Sequence, residues 1–449
     1  MSAAYLVVGL GVTGSGVARA LLAHREAVIA VDDHPSDATR AAARELGVDL
    51  IEAPAEPTLR ALVRGAVAVV PAPGLPARHP VFPLADEAGV PILSEFDLAA
   101  RWDARPIVAI TGTDGKTTVT TLVRDMLQGS GQTAAAVGNT EVPLVSAIDD
   151  PTIDVFVVEA SSFRLAHSRR FTPEVATWLN FAPDHLDNHG DLINYEKAKA
   201  RIWRDQSAMQ VAVGNADDPV VMRNLVRAPA QQVTFGFSSD ADARVIGDTL
   251  VGPGSTVLIR VDEMPRRFRH DIANALAAAT TALCAGATPE AVCAVLRSFR
   301  GLPHRVALVA ELNGVRYYDD SKATTPHAAV AGVTGVGPSV IMICGGRAKG
   351  LDLRELTAAA ESVRAVVAIG EAAGEIVDAF AGLRPVHRAD SMDEAVRTAA
   401  DLAFPGDAVV LAPGCASFDW YSSYGERGDD FARAVRELAG SDGMEARAP

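Results

Sequence analysis

The chain has 449 residues, 49% of them hydrophobic and 22% charged, with a formal net charge of −15. That length suits roughly two to four domains whose cores need no disulfide or structural metal for size reasons. The acidic balance excludes a nucleic-acid surface, which needs basic patches, and an anionic membrane as partner. It leaves anionic small ligands open, because local groups decide those. The cysteines Cys284, Cys293, Cys344 and Cys415 form no C-x-x-C pair and read as reduced thiols of a cytosolic protein. Met1 to Gly9 has no basic stretch and reads as a strand, not a signal peptide, and no apolar run reaches membrane length.

Tyr5 to Val8 is an apolar strand followed by Gly9-Leu10-Gly11-Val12-Thr13-Gly14 and a helix through His24. A second strand, Ala27 to Val31, ends in Asp32-Asp33, which completes a dinucleotide-type fingerprint. Taken alone this shows a doubly wound domain whose first turn can approach a phosphate; an NAD site is one reading of it. Further strands are expected at Val48 to Ile51, Val67 to Val70 and Pro91 to Leu93, with the turn Pro71-Ala72-Pro73-Gly74 after the fourth. Glu95 to Arg105 reads as a helix that opens a second α/β region.

The strand Pro106 to Ile110 then runs into Thr111-Gly112-Thr113-Asp114-Gly115-Lys116-Thr117-Thr118 and a helix over Val119 to Gln128. Strand, glycine turn, Gly-Lys-Thr and helix is the layout of a phosphate-binding loop. Glycines let backbone N–H groups crowd an anion, and the helix N-terminus adds unpaired donors and partial positive charge. Lys116 would reach the outer phosphates and Thr117 would offer its hydroxyl to Mg²⁺. Ile110 stands where the general pattern has its first glycine, so this loop is tighter. The bland alternative is an ordinary strand-to-helix turn, and Gly-Lys-Thr directly after a buried strand argues against it.

More parallel-type strands follow at Asp154 to Val158, Val175 to Leu179 and Gln210 to Val213, then short strands between Ser238 and Val261 and a helix over His270 to Ala285. Chemistry-bearing groups end several of them: Gly138-Asn139-Thr140, Glu159-Ala160-Ser161-Ser162-Phe163, and Asn180 before Ala182-Pro183-Asp184-His185-Leu186-Asp187. Ligands of open α/β sheets sit outside the carboxyl ends of strands, so these groups can converge on the phosphate loop. Glu159 reads better as a Mg²⁺ ligand or base than as a surface carboxylate. His185 and His189 do not make a convincing zinc pair in a loop, and His189 reads as solvated. Of Lys197 and Lys199, two apart on one helix, one is solvated, and spacing does not say which. Gly301-Leu302-Pro303-His304-Arg305 breaks the pattern and starts a third region. It holds Asp319-Asp320-Ser321-Lys322-Ala323-Thr324, the strand Val340 to Cys344 before Gly345-Gly346-Arg347-Ala348-Lys349-Gly350, the strand Ala408 to Leu411 before Pro413 to Asp419, and a final helix over Gly425 to Leu438. The expected fold is α/β in three domains: Rossmann-like over residues 1–94, P-loop ATPase type over 95–300, and Rossmann-like again over 301–449.

In this order the motifs Thr111 to Thr118, Glu159 to Phe163, Asn180 with Asp184 to Asp187, Tyr195 to Arg201, Gly301 to Arg305 and Asp320 to Thr324 resemble the ATP-dependent Mur ligases of peptidoglycan synthesis. The resemblance covers essentially the whole chain. It implies a cytoplasmic, monomeric enzyme that joins D-glutamate to UDP-N-acetylmuramoyl-L-alanine through an acyl phosphate, with no nucleic acid and no membrane insertion. ATP would be held by Gly112, Thr113, Asp114, Gly115, Lys116, Thr117 and Thr118, with Asn274, Arg305 and Asp320. Two Mg²⁺ ions would be held by Thr117, Glu159, His185 and a carbamylated Lys199, and Lys116, Glu159, His185 and Lys199 would carry catalysis. The UDP-linked substrate would meet Gly11, Thr13, Asp32, Asp33, Gly74 and Asn139; Lys322, Thr324, Lys349, Ser417 and Tyr424 would surround D-glutamate. Four residues depart from the family's usual pattern: Ala72, Arg164 (a frequent Gln), Asp271 and Tyr424 (a frequent Phe).

Overall fold

The computed structural model describes residues 4–140, 142–441 and 446–447; the first three residues of the Met1 to Gly9 stretch lie outside them. The chain divides into two compact units, residues 1–265 with 272–299, and residues 266–271 with 300–449.

Among the described residues, the first unit contains three sheets. β1 (Ala4–Val8), β2 (Val28–Asp32), β3 (Asp49–Glu52) and β4 (Ala66–Pro71) form a parallel sheet in the order β3-β2-β1-β4. The expected fifth strand, Pro91 to Leu93, is reduced to a single bridge between Val69 and Ile92. Its leading proline has no N–H to offer a ladder. Ser94 then caps the helix Glu95–Trp102 in a reciprocal capping box with Asp97, and that helix ends at Trp102, short of Arg105, with Asp103 as its extended C-cap.

The second sheet is built from β5 (Ile107–Thr111), β6 (Ala134–Gly138), β7 (Val155–Glu159), β8 (Val175–Trp178), β9 (Val211–Asn215) and β10 (Gln231–Phe235), all parallel, in the order β10-β9-β8-β5-β7-β6. These strands are near-continuous apolar runs because helices cover both faces. The chain leaves β5, builds β6 and β7 on one side, then crosses to β8 on the other. β5 is therefore the switch point, where the loops at the strands' carboxyl ends diverge and open a crevice. On one face the helix Lys116–Gly129 buries Val119, Leu122, Val123, Met126 and Leu127 against Val108 and Ile110. Each such side chain contributes about 1.5–3 kcal/mol on burial. The alanine-rich helix Arg269–Cys284 reaches the same core through Ala275 to Ala279. The expected short strands beyond Ser238 are β11 (Arg244–Ile246), β12 (Thr249–Gly252) and β13 (Thr256–Arg260), a small antiparallel sheet.

In the second unit, β14 (Ala307–Leu312), β15 (Val315–Asp319), β16 (Val340–Gly345), β17 (Val363–Ile369), β18 (Val386–Ala389), β19 (Ala408–Leu411) and β20 (Ala446–Arg447) make one sheet in the order β18-β17-β16-β19-β15-β14-β20. The five neighbouring strands β18-β17-β16-β19-β15 are parallel, while β14 pairs antiparallel with β15 on one side and with β20 on the other. The final helix, Tyr424–Ser441, packs Phe431 and Val435 against the sheet core.

Candidate active site at the switch point

The loop after β5 folds as a phosphate loop should. Gly115 caps the helix Lys116–Gly129 with φ of 82°, a left-handed conformation that glycine adopts freely. A Cβ there would also lie 2.5 Å from Asn274 Oδ1, so Asn274 sits directly over the loop. The helix begins at Lys116, three residues earlier than the apolar spacing suggests, which places Lys116 and Thr117 in its first turn. The loop is pinned from β8: Asn180 Oδ1 accepts from the Thr113 and Asp114 N–H groups at 2.9 Å each, and Asn180 Nδ2 donates to Asp114 O at 3.2 Å. Thr113 Oγ1 donates to Ala182 O at 3.1 Å.

Lys116 Nζ donates to Gly112 O at 2.9 Å and to Thr113 O at 2.8 Å. Lys199 Nζ, carried by the helix Leu192–Arg204, donates to the same Gly112 carbonyl at 2.6 Å. Lys199 is 1% exposed, whereas Lys197 is on the exposed face. Burial, and then the Lys116 ammonium, hold the Lys199 amine well below the ordinary lysine range. The amine also lies 4.6 Å from the centre of the Tyr195 ring. Burial raises the Asp184 carboxyl, against the pull of Lys116 and Lys199.

Glu159 closes β7 directly beside β5, opposite Ile110 in the ladder, and is 3% exposed. Asn139 Nδ2 donates to its Oε1 at 3.1 Å, while its buried Oε2 has no hydrogen-bond partner. Leaving a buried carboxylate oxygen so is costly unless a cation or ligand group meets it. A carboxylate oxygen beside a phosphate loop suits a hard divalent cation, so the residues present fit Mg²⁺. Among the described residues no three His, Cys, Asp or Glu side chains gather closely enough to hold a metal by themselves. His185 adopts φ of 54° and its Nε2 lies 3.1 Å from Asp184 Oδ2. The side chain of Asp187 lies outside the described positions.

His189 corrects the sequence expectation. It is not solvated: it is 9% exposed, its Nε2 lies 3.0 Å from Ser162 Oγ, and its ring stacks on Phe163 at 5.3 Å. The short helix Leu186–His189 turns it inward, where Phe163 and Tyr195 flank both histidines.

The first glycine turn is equally well made. A Cβ on Gly14 would lie 1.9 Å from Gly9 O, so helix and strand approach only because glycine is there. Gly11 and Gly74 face open space, where a Cβ would meet nothing within 4 Å. Asp32 Oδ2 accepts from Leu10 N at 2.9 Å, and Asp33 Oδ2 pairs with the buried His79 at 2.9 Å. Thr13, Glu95 and Arg164 line one pocket at this turn. Glu95 carried no signal in the sequence; its partners lie 50 and 69 residues away.

In the second unit the segments after β15, β16 and β19 converge, because those three neighbouring strands point the same way. Arg347 and Ala416 exchange backbone hydrogen bonds at 2.9 and 3.0 Å, and Gly414 N donates to Ala323 O at 2.9 Å. Ser321 Oγ donates to Tyr424 O at 2.8 Å, and the Lys322 ammonium lies 3.8 Å from the centre of the Tyr424 ring. Lys349 lies 4.9 Å from the Phe418 ring, and Ser417 is buried nearby in sequence. Thr324 N donates to Lys322 O at 2.8 Å. Asp320 is buried, accepts from Val306 N at 3.2 Å, and burial raises its carboxyl well above the usual range, against the neighbouring Arg305. Arg427, 1% exposed, holds Ser321 O and Cys415 O at 2.9 and 3.1 Å; the sequence reading gave it no role.

A phosphate loop at the switch point of a parallel sheet, a lone buried carboxylate oxygen beside it and a second α/β unit with its own convergent loops define a nucleotide-dependent α/β enzyme. The chain matches the Mur ligase middle domain over residues 110–282 and the Mur ligase, glutamate ligase domain over residues 304–415. It is 43% identical over 452 residues to the UDP-N-acetylmuramoylalanine–D-glutamate ligase of Frankia casuarinae, covering 97% of this chain and 94% of that one. It is 41% identical over 449 residues to the protein of the same name from Desulfosudis oleivorans, covering 97% of each. Among solved structures it resembles the UDP-N-acetylmuramate-alanine ligase of Thermotoga maritima, with TM-score 0.60, 19% identity, and 97% of this chain and 99% of that chain covered. MurF from Acinetobacter baumannii is similar in fold, with TM-score 0.61, 16% identity, and 96% and 90% covered. The chain belongs to the Mur ligase family, ATP-dependent ligases that use Mg²⁺.

Proposed function

We propose that the protein joins D-glutamate to UDP-N-acetylmuramoyl-L-alanine in peptidoglycan precursor synthesis. The observation that carries this is the phosphate loop after β5, with Lys116, Lys199 and Glu159 gathered at one crevice, in a chain 43% identical to a ligase of that name. The first glycine turn takes the UDP end of the acceptor substrate, with Gly11 and Gly74 leaving room and Thr13, Asp32, Asp33 and Asn139 as polar contacts. A UDP diphosphate suits this turn as well as a dinucleotide does, because the turn recognises phosphate and not base. An NAD-dependent oxidoreductase would leave Thr111 to Thr118 without a role.

The alanyl carboxylate is a poor electrophile. Its oxygen attacks the γ-phosphorus of ATP, the bond to the bridging oxygen breaks, and ADP leaves. The amine of D-glutamate then attacks the acyl carbon; phosphate leaves with the C–O bond pair, and the nitrogen gives up a proton. Lys116 steadies charge on the phosphates. Thr117, Glu159, His185 and Lys199 are assigned to Mg²⁺, which would neutralise phosphate charge. A cationic lysine would repel that ion. Burial lowers the proton affinity of the Lys199 amine, which favours its adding CO₂, with loss of a proton from the nitrogen, to become a carbamate, an oxygen ligand of the correct sign. Asn274, Arg305 and Asp320 are assigned to the nucleotide, and Lys322, Thr324, Lys349, Ser417 and Tyr424 to D-glutamate. The domain division 1–94, 95–300 and 301–449 follows the same assignment. No helix among the described residues is long and apolar enough to cross a membrane; a cytoplasmic monomer fits the soluble substrates.

Phosphate release from ATP, measured with UDP-N-acetylmuramoyl-L-alanine and a panel of amino acids, tests the reading. Turnover should depend on the UDP-linked substrate and prefer D-glutamate. Equal turnover with L-alanine or a diamino acid would reject it.

A further inference from the structure

Arg164 lies within the helix Ser162–His167 and is 5% exposed despite its charge. Its Nε donates to Glu95 Oε1 at 2.5 Å, and that carboxylate is buried too, its Oε2 accepting from Val145 N at 3.2 Å. Nη1 donates to Asn139 Oδ1 at 2.9 Å, and Nη2 donates to Thr13 Oγ1 at 2.8 Å across 151 positions of sequence. Asn139 then donates its own amide to Glu159 Oε1 at 3.1 Å. One guanidinium thus links the turn after β1, the segment after β6, the end of β7 and the helix that follows the N-terminal sheet, all inside the first unit.

Stability alone does not account for this arrangement. Replacing a buried ion pair by well-packed apolar groups is often neutral or stabilising, so the pair is weak evidence for a purely structural role. What distinguishes the site is the fork. A planar guanidinium offers five N–H donors in fixed directions, so one side chain can fix three acceptors at once. A lysine keeps the charge but not the fork. A glutamine, the residue frequent at this place in the family the chain resembles, has two donors on one nitrogen and cannot serve three directions.

We propose that Arg164 is a positioning residue that orients Thr13 and Asn139 together and, through Asn139, the Glu159 carboxylate. Seating of the UDP-linked substrate on the first glycine turn and the hold on Mg²⁺ at Glu159 then belong to one arrangement. Glu95 anchors the guanidinium so that its other two arms stay fixed. The proposal rests on the function given above.

Two full-length variants test it. Arg164→Lys keeps a cation for Glu95, and the paired change Glu95→Gln with Arg164→Gln removes both charges, so neither leaves a buried carboxylate alone. Calorimetric binding of UDP-N-acetylmuramoyl-L-alanine without ATP, and the Mg²⁺ concentration for half-maximal turnover, are the readouts. Both variants should bind the substrate more weakly and need more Mg²⁺, each by about tenfold or more, the usual effect of losing a residue that orients a ligand-bearing side chain. The KM for D-glutamate should stay within about twofold, since that amino acid is assigned to the other unit. Rescue of both readouts by Arg164→Lys would reduce the residue to a charge partner and overturn the proposal. Wild-type protein that binds no UDP-linked substrate would overturn the functional reading and the proposal together. Normal binding in the wild type with unchanged values in both variants would overturn the proposal alone.

Discussion

Lys199→Met keeps an unbranched stem and removes the amine, which separates the residue's chemistry from its packing. In the folded chain the amine sits well below its ordinary 10.5. Between the folded and unfolded values, the unfolded chain carries a proton that the folded chain lacks. Stability therefore rises with pH across that window and falls as pH drops, by about 1.4 kcal/mol per unit. Methionine has no such dependence. The wild-type-minus-variant difference in unfolding free energy should grow as pH rises towards the ordinary lysine value of 10.5. Near neutrality the variant should be no less stable than wild type: it loses the 2.6 Å bond to Gly112 O, about 1 kcal/mol, but no longer buries an amine. Trp178 and Trp203, 5.5 Å apart in the first unit, report the transition by fluorescence in urea. The titration is run in CO₂-free buffer and repeated with bicarbonate, which should stabilise only the wild type through carbamate formation. Turnover of the variant should fall about a hundredfold or more. A stability difference that is flat or shrinking as pH rises would show a protonated Lys199 and refute the argument; a fully active variant would refute the assignment.

Gly14→Ala should cost about 1–3 kcal/mol, because its Cβ would fall 1.9 Å from Gly9 O and must push the helix Val12–Ala23 off its strand; thermal unfolding should also show weaker protection by the UDP-linked substrate. Lys116→Ala should abolish ADP formation while the melting temperature moves little, since the side chain's hydrogen bonds among the described residues are to the loop's own carbonyls; near-normal turnover would remove Lys116 from the mechanism. In the second unit, the hydrogen bond to Asp319 raises the His304 imidazole above its ordinary 6.5. Its stabilisation is complete below about 6.5 and is lost as pH rises through the higher folded value. Asp319→Asn should bring the ring's NMR titration midpoint down and remove that loss.

The parallel strands were legible because burial on both faces writes uninterrupted apolar runs, and the phosphate loop was legible because its glycines and lysine are contiguous. The strand expected at Pro91 to Leu93 failed for a local reason, its proline, which the apolar spacing outweighed. Burial of His189 was not legible: it depends on Ser162, Phe163 and Tyr195, which only the folded chain brings together. The same holds for Lys199, whose burial and shared carbonyl distinguish it from Lys197, and for Arg164, whose partners lie 25, 69 and 151 positions away. Pattern reading finds periodicity and contiguous motifs; it has no access to which distant side chains share a carbonyl or a guanidinium.

The chain passes between its two compact units three times, at 265/266, 271/272 and 299/300. The six residues lent to the second unit are not a passive tether. Arg266 Nη1 donates to Val306 O at 2.9 Å, and Phe268 sits edge-on to Tyr318 at 6.1 Å within that unit's core. A fragment cut at residue 300 would lose this ring and this guanidinium, leaving the Tyr318 side of its core bare. The two halves are thus sewn together by exchange of sequence, not joined end to end. Swapping C-terminal halves between related ligases should succeed only when residues 266–271 travel with the half they complete.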